Sequence, residues 1–217
     1  MAKWIVAIDG PAAAGKGTLA RRMAARLGLP YLDTGLLYRA VGRRVLNAGE
    51  DPGDREAAER AALALRPEDM ERTDLRVPAV DAAASTVADV PGVRAALLDF
   101  QRRFGIERGA VLDGRDIGTV IFPNADLKLF VTASPEERAR RRWLELRGRG
   151  LDADLAEVER DIRARDARDI ARAASPLVAA PDAVEIDTTN MDADAAFGMA
   201  LRAAAARFGV DISNLVN

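Results

Sequence analysis

The chain has no cysteine and no histidine among its 217 residues. Disulfides, thiol nucleophiles, zinc sites built on Cys and His, and Ser-His-Asp chemistry are therefore excluded together. Lysine is scarce as well: Lys3, Lys16 and Lys128 are the only three, and the other basic residues are arginines. An excess of charge is also missing. The balance of 32 basic and 34 acidic residues gives a formal net charge of −2, which argues against indiscriminate binding to nucleic acid or an anionic membrane. No apolar run approaches the roughly 18 residues that a membrane span needs. The first residues enter a strand pattern with no charged-then-apolar leader, so a soluble, cytoplasmic protein is the expectation. With 49% hydrophobic residues, the length suits one α/β domain carrying insertions, or one core with a small mobile lobe.

One of the three lysines stands in the most informative stretch, Gly10-Pro11-Ala12-Ala13-Ala14-Gly15-Lys16-Gly17-Thr18. An apolar strand, Trp4 to Ile8, precedes it, and the spacing of Leu19, Met23 and Leu27 predicts a helix after it. In that context a G-x-x-x-x-G-K match becomes a phosphate-binding loop: backbone N–H groups turn inward onto an anion and the helix adds its positive dipole end. Lys16 can reach the β- and γ-phosphates of a nucleoside triphosphate, so Gly10 through Thr18 are read as a nucleotide-binding site. Gly17 stands where Ser or Thr usually follows the lysine, which makes Thr18 the candidate hydroxyl near Mg²⁺. A compact ammonium fits this turn where a guanidinium would not.

The rest of the chain alternates strands and helices, which implies a parallel sheet covered by helices on both faces. Strands are expected at 3–9, 30–33, 109–113, 127–132 and 183–187. Helices are expected at 16–28, 34–48, 54–66, 79–90, 92–104, 134–147, 152–172 and 192–207. Ser134-Pro135-Glu136-Glu137 reads as a capping box with proline in the first turn. Residues 67–78 have no clear period and are read as irregular.

Three further groups carry chemistry. Asp33 and Asp113 are carboxylates at strand ends, the kind of acid that stands near Mg²⁺ beside a phosphate loop and holds it through water. Gly114-Arg115-Asp116-Ile117-Gly118 is a charged loop at the carboxyl end of a strand, where open α/β sheets bind ligands. Arg165, Asp169 and Arg172 fall on one helical stripe within the arginine-rich segment 134–172, whose other arginines read as a solvated face of i,i+3 and i,i+4 pairs.

Four of these stretches together resemble the bacterial cytidylate kinases: Asp9 through Thr18, Leu32-Asp-Thr-Gly-Leu-Leu-Tyr-Arg39, Asp113 through Pro123, and Arg165-Asp-Ala-Arg-Asp-Ile-Ala-Arg172. The resemblance implies a three-layer P-loop kinase fold over residues 1–217, with a small monophosphate-binding lobe at 36–105 and an arginine-rich helical lid at 134–172. It implies an ATP site at Gly10 through Thr18 and transfer of the γ-phosphoryl group of Mg-ATP to CMP or dCMP, in a monomer with no nucleic-acid or membrane partner. The acceptor would be held by Thr34, Arg39, Ser85, Arg94, Arg115, Asp116, Arg165, Asp169 and Arg172. Ser85, Arg94 and Asp116 would read the base, and Arg165 and Asp169 would hold the sugar. Arg39, Arg115 and Arg172 would clamp the phosphate and, with Lys16, form the catalytic set. Thr18, Asp33 and Asp113 would hold the hydrated metal. Two departures stand out: Thr34 replaces a more usual serine, and the β insert of the mobile lobe is shortened to 67–78. The alternatives are a kinase for another acceptor, such as UMP, AMP, shikimate or gluconate, and a non-catalytic ATP-sensing module.

Overall fold

The computed structural model describes residues 3–211. The chain divides into two compact units: Asp33–Phe104, and the remainder of the chain on either side of it.

The larger unit is built on a sheet in the order β2-β3-β1-β4-β5. Its strands are β1 (Ile5–Asp9), β2 (Tyr31–Asp33), β3 (Ala110–Gly114), β4 (Leu127–Thr132) and β5 (Val184–Asp187), the last residue of β2 marking the unit boundary. β1 runs parallel to both β3 and β4, with Asp9 opposite Gly114 on one side and Phe130 on the other. β4 runs parallel to β5. The chain leaves β1 towards β2 and β3, then crosses to β4 on the other side. The carboxyl end of β1 is therefore a topological switch point, where such sheets form a ligand crevice.

Apolar periodicity explains the layers. Val6, Ile8, Val111, Leu129 and Ile186 pack with Leu19 and Met23 of α1 (Lys16–Leu27) and with Ala200 and Leu201 of α9 (Ala193–Phe208). On the other face, Ile5 and Phe122 press against Gly105, where a Cβ would lie 3.1 and 2.6 Å from their side chains. α7 (Pro135–Gly148) and α8 (Leu155–Ala171) form a hairpin with its own small core of Ala139, Leu146, Val158 and Ile162. Ser134 caps α7 as its sequence pattern predicts, accepting from Glu137 N at 3.2 Å. Among the described residues, no helix is long and apolar enough to cross a membrane.

The Asp33–Phe104 unit is helical: α2 (Thr34–Asn47), α3 (Arg55–Leu63), α4 (Pro67–Met70), α5 (Pro78–Val87) and most of α6 (Pro91–Arg108). Gly42 lets α2 approach α5 closely, because a Cβ there would lie 2.9 Å from Ala84 N. The 67–78 stretch differs from expectation by forming one helical turn, α4, with proline at its start. Its remainder has no strand. Ion pairs hold it instead: Arg44–Asp69 at 2.9 Å, Arg43–Asp74 at 2.7 Å and Arg76–Asp33 at 2.8 Å, around buried Leu75. Pairs of this kind leave no apolar period, which is why the sequence gives no signal for them.

Candidate active site

The loop between β1 and α1 has the backbone that its glycines predict. Gly10 adopts φ +145°, and a Cβ there would stand 1.9 Å from Val131 O, so no other residue fits. Gly15 precedes α1 at φ +91°. The helix begins on Lys16, whose buried ammonium donates to Pro11 O of the same loop at 2.6 Å. Burial, with the Arg115 guanidinium nearby, pushes this ammonium well below the usual lysine range; Asp113 pulls it back and Arg165 adds to the lowering. A bound phosphate would restore the charged form, because an adjacent anion favours the cation.

The carboxylates at the strand ends do separate jobs. Asp113 accepts from Tyr31 OH at 2.7 Å and sits beside the start of α1, its Oδ2 3.9 Å from where a Gly17 Cβ would be. Asp9, to which sequence reasoning assigns no role, is the loop's anchor. Its two oxygens accept from Ile117 N at 2.8 Å and Gly118 N at 2.7 Å. This fixes the segment that presents Arg115 and Asp116. Burial raises the Asp9 carboxyl to about 6, with Asp116 adding to the rise while the two backbone donors and Lys16 oppose it. The only sequence signal for Asp9 is a carboxylate closing an apolar strand, the same signal that marks Asp113. A short π-helix, Ile117–Ile121, follows Asp116 and was not expected; it starts where Asp9 captures the backbone.

Asp169 gathers the arginines. It is 2% exposed, accepts from Arg115 Nε at 2.8 Å and from Arg172 Nη2 at 2.7 Å, and lies in the field of Arg165. Burial opposes ionisation, but Arg115, through charge and hydrogen bond, together with Arg165 and Arg172, outweighs it and holds the carboxyl below its ordinary value. The stripe predicted on α8 thus meets the loop after β3. The larger unit brings together Lys16, Asp113, Arg115, Arg165, Asp169 and Arg172.

A cavity of about 310 Å³ adjoins the loop, lined by Gly15, Thr18, Arg140, Arg141, Thr188 and Met191 among others. Arg141 donates to Thr188 O at 2.6 Å and to Thr188 Oγ1 at 2.9 Å, and the hydroxyl reaches Ala14 O of the loop at 3.1 Å. Neither Thr188 nor this cavity is apparent from the sequence, since both depend on β4, β5 and α7 meeting the loop.

In the Asp33–Phe104 unit, Thr34 is buried at the start of α2, and Arg39 Nε donates to Asp81 at 2.8 Å. Ser85 is buried on α5, and its hydroxyl has no hydrogen-bond partner among the described residues. Arg94 donates to Ala88 O at 3.2 Å and lies over the Tyr38 ring at 5.5 Å. Asp33 is engaged by Arg76.

No cluster of three metal-ligating side chains occurs among the described residues. Mg²⁺ keeps several waters and takes one or two carboxylates together with substrate phosphates. The buried Asp113 carboxylate beside the loop is such a donor.

The cytidylate kinase family profile matches residues 6–205. The chain belongs to the cytidylate kinase family. It is 61% identical over 201 residues to the cytidylate kinase of Paramagnetospirillum magneticum, covering 91% of this chain and 95% of that protein. It is 62% identical over 193 residues to the one from Acidiphilium cryptum, covering 89% and 91%. A solved structure of an uncharacterized protein from Eubacterium ventriosum superposes with a TM-score of 0.55 at 15% identity, over 92% of this chain and 96% of that one. That likeness concerns the fold alone.

Proposed function

We propose that this chain transfers the γ-phosphoryl group of ATP to the phosphate of CMP or dCMP, giving ADP and the nucleoside diphosphate. The observation that carries the reading is the buried Asp169 cluster: it holds Arg115 and Arg172 in the same unit as the phosphate loop. A protein that only sensed ATP would need no second phosphate clamp. Family membership then selects the acceptor.

In this reading Gly10 through Thr18 cradle the donor phosphates, and the adjoining cavity takes the donor nucleoside. Arg115 and Arg172 hold the acceptor phosphate. Arg165 and Asp169 hold its sugar. An acceptor oxygen, already anionic, attacks the γ-phosphorus in line while the bond to the β-phosphate oxygen breaks, so no general base is required. Lys16 and the arginines neutralise charge on the transferring group, and catalysis is positioning plus electrostatics. Mg²⁺, when bound with ATP, supplies charge neutralisation on the donor phosphates; Asp113 and Thr18, with Asp33, are the residues proposed to hold its hydration shell. Ser85, Arg94 and Asp116 read cytosine, whose amino group donates and whose ring nitrogen and carbonyl accept. The unpartnered Ser85 hydroxyl supports this, because a buried polar atom without a partner is costly unless a ligand supplies one. The Asp33–Phe104 unit is then the monophosphate lobe, and 134–172 the lid.

The test is a coupled ADP-release assay with Mg-ATP against CMP, dCMP, UMP, AMP, GMP and no acceptor. Strong stimulation by CMP and dCMP with silent purines is the expected result. ATP binding without stimulation by any acceptor would overturn the reading in favour of a sensor.

A further inference from the structure

The α7–α8 hairpin touches the phosphate loop in two ways that the reaction described above does not use. The first is polar. Arg138 of α7 is 3% exposed and spends four of its five N–H donors inside the protein. Nε donates to Ala133 O at 2.8 Å, and Nη1 donates to Ala12 O of the phosphate loop at 3.3 Å and to Asp166 Oδ1 at 3.0 Å. Nη2 donates to Asp166 Oδ2 at 2.6 Å. Asp166 lies on α8 directly after Arg165 and one turn before Asp169. So engaged, Arg138 cannot also grip a phosphate; it joins the donor loop to the helix that carries the acceptor clamp.

The second contact is apolar. The methyl groups of Ala12 and Ala13 pack against the hairpin core of Ala139, Leu146, Val158 and Ile162. Ala13 holds φ +58°, a conformation disfavoured for alanine and open to glycine. The methyl is kept at a strained position, and what it gains there is contact with the hairpin.

We propose that Arg138 and Ala13 are positioning residues that couple the phosphate loop to α8, so that ATP and CMP each tighten the binding of the other. Donor phosphates fix the peptide planes of the loop, including the Ala12 carbonyl. That carbonyl fixes Arg138, and the bidentate pair with Asp166 sets the rotation and height of α8. Arg165, Asp169 and Arg172 follow as parts of one rigid helix. The coupling is reciprocal by thermodynamic necessity. The inference rests on the reading that α8 holds the acceptor.

The experiment is calorimetric titration of CMP with and without saturating Mg-adenylyl imidodiphosphate, a non-hydrolysable ATP analogue. In the wild type the analogue should tighten CMP binding by about fivefold or more. Arg138→Met and, separately, Ala13→Gly should bring that ratio close to one. Ala13→Gly relieves strain and so keeps the measurement available if Arg138→Met does not fold. A wild-type ratio of one, or variants that keep the wild-type ratio, would overturn the coupling. CMP failing to bind in either condition would instead overturn the functional reading, and the coupling with it.

Discussion

The two sides of the α7–α8 hairpin are built from the same residue type and behave differently. On the inner side, Arg138 and Arg172 are nearly inaccessible, and each is paired with a carboxylate, Asp166 and Asp169, at 2.6 and 2.7 Å. On the outer side, Arg160 pairs with Glu157 three residues away, and both are 70% exposed. Spacing along the helix cannot separate Arg172 from Arg160, because each pairs with an acid three residues before it. Burial separates them. A buried charge without its partner costs several kcal/mol, whereas an exposed pair contributes little. The inner arginines are thus held in place by carboxylates out of solvent, and Arg160 serves the surface.

The largest break in this comparison should come from the loop that the inner arginines face. Lys16→Ala is expected to lower kcat by at least about a hundredfold in the coupled assay, since it removes charge from the transferring group; a near-normal rate would contradict the site. Next comes Asp169→Ala, which leaves Arg115 and Arg172 without their buried counter-charge. A loss of about 3–5 kcal/mol in urea unfolding is expected, together with a raised KM for CMP. The expected result for Asp116→Ala is narrower: discrimination of CMP over UMP falls while the KM for ATP changes little. Equal losses with both pyrimidines would remove Asp116 from base reading.

The Asp9 carboxyl gives a smaller effect with a defined sign. Its native pKa, raised to about 6 by burial, exceeds the unfolded value of 3.8. The native state therefore binds the extra proton between those values, and this group makes stability fall as pH rises through that window. Between pH 5 and 7 its share is about 1 kcal/mol. Urea titrations at the two pH values should show that decrement in the wild type and lack it in Asp9→Asn. The smallest effect belongs to the outer face: Arg160→Ala should leave the melting temperature and both KM values within error.

What the sequence could show follows the same division. Strands, helices and the phosphate loop were legible because apolar period, glycine positions and caps are local signals. The motifs around Lys16, Arg39, Arg115 and Arg172 were legible because their spacing matches a family. Asp9 received no role, because its partners Ile117 N and Gly118 N lie far along the chain. Arg138 reads as one more surface arginine in the sequence, because its partners Ala12 and Asp166 lie far from it along the chain. Thr188 and the cavity beside Thr18 likewise exist only once β4, β5, α7 and the loop are assembled. The ion pairs that hold 67–78 leave no periodic trace at all.

The most direct test is to compare Arg172→Ala with Arg160→Ala in the KM for CMP at saturating Mg-ATP. The inner substitution should raise KM at least about tenfold, the loss expected for a charge-assisted phosphate contact, while the outer one leaves it unchanged. If the two variants behave alike, burial does not separate acceptor-binding arginines from surface arginines, and the assignment of the Asp169 cluster to the acceptor phosphate is wrong.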